Sequence, residues 1–286
     1  MPSSAVELTE LLDLEAIDVN LFRGTQPDTR LQRVFGGQVA AQALVAGART
    51  VEEARQVHSL HSYFLLPGDT AVPIVYDVER IRDGGSFSTR RIVARQHGRA
   101  IYFMTASFQL PEEGFEHQDV MPEVSSPGES LDLAELFRKR SPDDADEWLS
   151  EWAALELRYV GDSRPGGVIP NHEHPSQSRF WIRVSGRLGE DALLHRAAFT
   201  YASDMTLLGS SLVPHGLQVS DPRLQSASLD HTIWFHRPFR ADEWLLYDQV
   251  SPSASGGRGL GIGRLFTEDG RLVASVAQEG LIRRRG

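Results

Sequence analysis

The chain has 286 residues, 41% hydrophobic and 24% charged, with a formal net charge of −10 and no cysteine. This is ordinary globular composition with room for one large or two ordinary domains, and it excludes disulfides, zinc–thiolate and iron–sulfur ligation and a cysteine nucleophile. The acidity leaves no general basic face for nucleic acid, and no apolar run approaches the roughly 18 residues of a membrane span, so stable membrane insertion is not expected.

In chain order, the N-terminal "MPSSAVELTELLDLEAI" carries acidic residues and no signal-peptide core, and the chain ends "RRRG", which is not a peroxisomal address. A cytoplasmic location is the expectation. "FGGQVAAQALVAGARTV" (35–51) then places small and apolar residues at helical spacing behind Gly36 and Gly37. Two readings fit: a small-residue helix in a tight core, or a helix start whose bare N–H donors receive something negatively charged. Strand-like runs follow at 57–66, 71–81, 86–96 and 99–110, separated by Pro67-Gly68-Asp69, Asp83-Gly84-Gly85 and His97-Gly98. Turns this short join antiparallel neighbours, because a parallel crossover needs about a dozen residues.

The next stretch, 116–154, is acidic and proline-bearing, and reads as a connecting segment with short helices around 131–139 and 144–152. Beyond it, "DALLHRAAFTYASDMTLLGSS" (191–211) is helical, and strands are expected at 226–236, 243–251, 257–267 and 271–283. The two strand-rich halves match in order. Pro67 and Pro238, Tyr76 and Tyr247, and Asp77 and Asp248 share one offset, and the Gly98-Arg99 and Gly270-Arg271 turns depart from it by one residue. This is an internal duplication. The expected organisation is residues 1–115, a linker at 116–154, and residues 155–286.

The stretches "VFGGQVAAQALVAG", "HSYFLLPGD", "YDVERIRDGGSFSTRR", "MTASFQ", "YASDM", "LDHTIWFHRPFRADEWLLY" and "VASVAQEG" resemble the acyl-CoA thioesterase II family, over nearly the whole chain and in family order. The resemblance implies an α+β double hot-dog, two tandem repeats each with a long helix wrapped by a curved antiparallel sheet. It also implies hydrolysis of medium- or long-chain fatty acyl-CoA to free acid and CoA, with no metal and no cofactor, by a homo-oligomer. The family's catalytic trio falls on Asp204, Ser228 and Gln278, which would hold the attacking water. Ser228 departs from the family's frequent Thr but keeps a hydroxyl. Gly37 and Gln38 at the helix start, and His58, are the candidate substrate-binding residues.

Taken singly, the trio has plain alternatives: Asp204 as the N-cap of a fresh helical turn, Ser228 as a strand start, Gln278 as an edge or outward-facing amide. Together they supply what thioester hydrolysis needs, a positioned water and a base, with helix N–H groups for the oxyanion. Two rivals remain: a hot-dog enoyl-CoA hydratase, which needs an Asp/His pair on one water, and a non-catalytic acyl-CoA-binding protein. Asp230-His231 is a poor dyad, since strand neighbours face opposite ways. His58 and His61 are likewise expected on opposite faces. "GGRGLGIGR" (256–264) lacks dinucleotide-loop spacing and reads as a strand approached closely by backbone or an acyl ligand. His172 and His174 share a loop that reads as solvated. No G-x-S-x-G elbow is present.

Overall fold

The computed structural model describes residues 1–140, 146, 151–170, 172 and 174–285. The first repeat contains α1 (Ala5–Leu12), β1 (Glu15–Asp18), β2 (Leu21–Gly24), α2 (Gly36–Ala48), β3 (Gln56–Phe64), β4 (Ile74–Asp83), β5 (Phe87–Gln96) and β6 (Arg99–Gln109). After β7 (Leu131–Asp132) and α3 (Leu133–Arg140), the second contains β8 (Leu155–Asp162), β9 (Gln177–Val184) and α4 (Ala192–Ser203). A 3-10 helix (Leu207–His215) follows, then β10 (Leu224–Ser228), β11 (Asp230–Phe235), β12 (Leu245–Ser255), β13 (Arg258–Thr267) and β14 (Leu272–Arg284).

The strands form one sheet in the order β1-β2-β4-β5-β6-β3-β11-β14-β13-β12-β9-β8-β7, with β10 also on β14. The order is the duplication made visible. The block β4-β5-β6-β3 meets its counterpart β12-β13-β14-β11 where β3 pairs antiparallel with β11, Leu60 opposite Ile233. Each block wraps its own helix, which is the expected double hot-dog.

α2 is buried at every residue from Gly37 to Gly47. A helix enclosed all round needs no polar stripe, and small residues let it approach its neighbours. α4 packs directly against it, its C-terminal end at the N-terminal end of α2. A Cβ at Gly37 would run into the Tyr201 backbone oxygen, and one at Gly36 into the Asp204 carboxylate and the Phe64 ring. The glycine pair is there for close approach.

Three features of this layout matter for function. The helical stretch 191–211 is not one helix: α4 ends at Ser203, Asp204 is its C-cap, and a 3-10 helix follows. The alternating glycines of β13 admit that 3-10 helix and a tyrosine. A Cβ at Gly259 would meet Ser211, one at Gly261 the Leu207 backbone oxygen, and one at Gly263 the Tyr247 ring. The connecting segment straps the outer face of the second repeat. Ser125 accepts a hydrogen bond from the Trp181 indole at 2.9 Å, and Met121 and Val124 pack over Trp181, Leu246, Phe266 and Leu272. The expected short helix near 131–139 is α3; of the one expected over 144–152, residues 146, 151 and 152 are described and helical, and the others lie outside the described residues.

Candidate active site

The α4 C-terminus, the end of β10 and the middle of β14 converge on one point. Ser228 Oγ donates to Asp204 Oδ1 at 2.8 Å. Gln278 Nε2 donates to Asp204 Oδ1 and, at 2.8 Å, to Ser228 Oγ. These contacts fix the Gln278 amide orientation, because the flipped form would set its oxygen against the carboxylate. Its Oε1 is buried and has no hydrogen-bond partner among the described residues. A backbone N–H at the start of α2, that of Gly37, also donates to Asp204.

Asp204 stands in the wall of an apolar cavity of about 570 Å³, with Gly36, Phe64, Tyr102, Met205 and Ser228 around it. Burial pushes its pKa up to about 6, and the hydrogen bonds from Ser228, Gln278 and Gly37 hold it from rising further. A carboxyl there is ionised at neutral pH yet basic enough to take a proton from water. Burial also keeps the Tyr102 phenol protonated, its pKa raised well above the ordinary value.

A second layer supports the α4 terminus. Ser203 Oγ donates to the Thr200 backbone oxygen at 2.9 Å and lies 2.8 Å from His231 Nε2. With the hydroxyl proton committed, the imidazole must be the donor in that pair. Burial pushes the His231 pKa down to about 4, so the ring is neutral at pH 7. Asp230 instead accepts from the Glu279 backbone N–H. The adjacent acid and histidine therefore do separate jobs, and no histidine is among the described residues lining the cavity. The sequence marks His231 only as half of a poor dyad with Asp230, and marks neither Ser203 nor Tyr102, because the His231–Ser203 contact joins a strand to the end of α4 across distant parts of the chain.

Two of the candidate substrate-binding residues lie elsewhere. Gln38 is buried, its amide on Gln26 Oε1 at 2.9 Å, where it anchors the segment before α2 and does not line the cavity. His58 packs edge-on against Phe87 with Nε2 2.8 Å from Ser107 Oγ, also away from the cavity. The β3–β6 register shifts between Val57 and Ser59. That bulge turns His58 to the same outer face as His61, whose charge adds to burial in lowering the His58 pKa. The expectation of opposite faces fails for this reason. Gly37 is at the site, but its N–H is engaged by Asp204. In the loop before β9, His174 Nδ1 receives the Ser176 N–H at 3.1 Å.

A tandem hot-dog whose Asp204 carboxylate and Ser228 hydroxyl line an apolar cavity, with the Gln278 amide bonded to both behind them, has a layout compatible with a thioester hydrolase of this fold. Comparison with known proteins agrees. Residues 163–281 match the family model for acyl-CoA thioesterase, and residues 25–109 the model for the acyl-CoA thioesterase N-terminal domain. Acyl-CoA thioesterase 2 of Haemophilus influenzae is 40% identical, covering 96% of this chain and 96% of its own length. Acyl-coenzyme A thioesterase 8 of Homo sapiens is 42% identical, covering 98% of this chain and 89% of its own. The crystal structure of an acyl-CoA thioesterase II from Mycobacterium marinum superposes with a TM-score of 0.83 at 46% identity, covering 98% and 99% of the two chains. The chain belongs to the acyl-CoA thioesterase family.

Proposed function

We propose that the chain hydrolyses medium- and long-chain fatty acyl-CoA by direct attack of a water held by Asp204, Ser228 and Gln278. The observation that carries this reading is the three-way hydrogen-bonded cluster in which Asp204 and Ser228 line an apolar cavity and Gln278, bonded to both, lies buried behind them with its Oε1 still unpaired. Asp204 takes a proton from the water as its oxygen attacks the thioester carbonyl. The tetrahedral intermediate then expels the CoA thiolate, which recovers the proton from the Asp204 carboxyl. The positive end of α2 faces the same point, and Gly36 lines the cavity there, so the helix field favours the oxyanion. Arg33 lines the same cavity, and we assign it to the CoA phosphates.

A covalent route through Ser228 has no histidine to serve it, because the His231 Nε2 is held by Ser203; the Asp204 carboxylate that accepts the Ser228 hydroxyl is the base assigned to the water. The hydratase reading lacks its histidine at the cavity. The test is CoA release from butyryl- to stearoyl-CoA beside an enoyl-CoA hydration assay. Hydrolysis that falls in Asp204→Asn, without hydration, supports the proposal. Hydration alone, or tight binding with no turnover in the wild type, overturns it.

A further inference from the structure

A second apolar chamber, about 510 Å³, adjoins the catalytic cavity, bounded by Leu136 of α3, Phe180 of β9, and Gly209 and Val213 of the 3-10 helix. Leu31, Trp152, Met205 and Val219 line both spaces and so form the wall between them. We propose that the tail of a long acyl chain passes this wall and lodges in the second chamber, which makes that chamber the determinant of long-chain preference. The inference rests on the thioesterase reading above and adds to it where the tail goes.

Four features favour an acyl tail as the occupant. Met205 directly follows Asp204, so the wall begins beside the reacting centre. One of its four side chains, Met205, is unbranched and flexible, and methionine re-packs readily around an apolar guest. Three of the polar groups in the chamber wall already have partners. Arg164 binds the Asp162 carboxylate through Nε, Ser178 donates to Gln249 Oε1 at 3.2 Å, and Thr206 accepts from the Gln249 amide. They therefore present no unmet demand for a polar ligand. Finally, each space is of small-molecule size, in the range of roughly 300–1,000 Å³. The catalytic cavity must also take the thioester and the adjoining arm of CoA, so a long tail needs further room.

Gly209 offers a clean way to fill the chamber. A Cβ there meets only Val219 Cγ2, at 3.8 Å, so a larger side chain enters open space. The experiment uses the full chain, Gly209→Phe, and Leu217→Trp as an independent second filling. Non-hydrolysable alkyl-CoA thioethers from butyl to hexadecyl are titrated by calorimetry, and kcat/KM is measured for butyryl- and palmitoyl-CoA. In the wild type, affinity should keep rising with tail length, by up to roughly fourfold for each methylene newly buried. In the folded variants the rise should stop short, and the palmitoyl-to-butyryl ratio of kcat/KM should fall about tenfold or more. A wild-type rise that stops at the length filling the first cavity overturns the proposal, as does an unchanged ratio in a folded variant. Thioether binding that follows the predicted pattern, with no CoA released from any acyl-CoA, would leave the chamber standing and remove the hydrolytic reading.

Discussion

The two repeats pair their core strands in matching register, yet the proposed catalytic side chains all come from the second. Val57 pairs with Phe108 as Ser228 pairs with Gly280, and Arg90 pairs with Ala106 as Gly261 pairs with Gln278. The proposed catalytic hydroxyl and amide of the second repeat thus correspond to Val57 and Ala106 in the first, both buried. Where Gly261 admits the 3-10 helix, the first repeat has Arg90, fully buried. Its guanidinium is tied to Thr50 just beyond α2, to the Arg82 carbonyl and to Asp83. Where Gly280 leaves space for Leu208, the first repeat has Phe108. One region of a duplicated framework holds the proposed chemistry, and its counterpart is packed and pinned. What the first repeat gives the site is the start of α2, where glycines let Asp204 reach a backbone donor.

The largest effect should come from separating the repeats. Because α2 of one and Asp204, Ser228 and Gln278 of the other build one site, neither 1–115 nor 155–286 alone should release CoA. Each would also expose the apolar surface and the β3 or β11 edge that the other covers, so both should self-associate on size-exclusion chromatography. A soluble, active monomer of either piece would break the comparison.

Next in size is the base. Asp204→Asn should lower kcat/KM by about 10²–10⁴-fold with the fold intact, and near-normal turnover would remove Asp204 from the mechanism. In the wild type, kcat/KM should fall as pH drops through about 6, where the carboxyl gains its proton. The absence of a single-proton acid limb near that pH would argue for another base.

Ser228→Ala should lose about 10–10³-fold, the scale of one polar contact in the transition state. Ser228→Thr keeps both donor and acceptor and should retain most activity. If the two variants behave alike, the hydroxyl is not what the position supplies.

The counterpart position should respond in the opposite way. Arg90→Met removes a buried guanidinium with several hydrogen bonds and should cost about 2–4 kcal/mol of stability, read as a lower urea midpoint. Its kcat/KM should stay within about twofold, and a large kinetic loss would mean that the pinned region reaches the site.

The smallest effect is on stability against pH. Burial raises the Asp204 pKa from 3.8 to about 6 in the folded chain, so the folded form holds more protons between those values. Its contribution to stability is present below about pH 4 and is lost as pH rises through about 6. Urea midpoints of Asp204→Asn should lack this decline, and a parallel decline in both proteins would assign it to other groups.

Most of the two strand blocks was legible because short Gly- and Pro-bearing turns punctuate them. The enclosed α2 was legible from its small residues. β9 was not, because it is buried on both faces: Ile182 and Val184 face the core, and Trp181 lies under the connecting segment, which erases the alternation. β1 is four exposed residues with no pattern to read. The trio was reachable only through the family resemblance, since no spacing in the chain predicts that residues 204, 228 and 278 meet. Gln38 and His58 went astray for separate local reasons, an anchoring contact to Gln26 and a bulge in β3.

The central claim is that water, not Ser228, attacks the thioester. Rapid-quench mass spectrometry of the intact chain during steady turnover of palmitoyl-CoA tests it most directly. The unmodified mass at every time point, with no burst of CoA, is the predicted result. An acyl adduct on Ser228 that forms and decays at the turnover rate would contradict it.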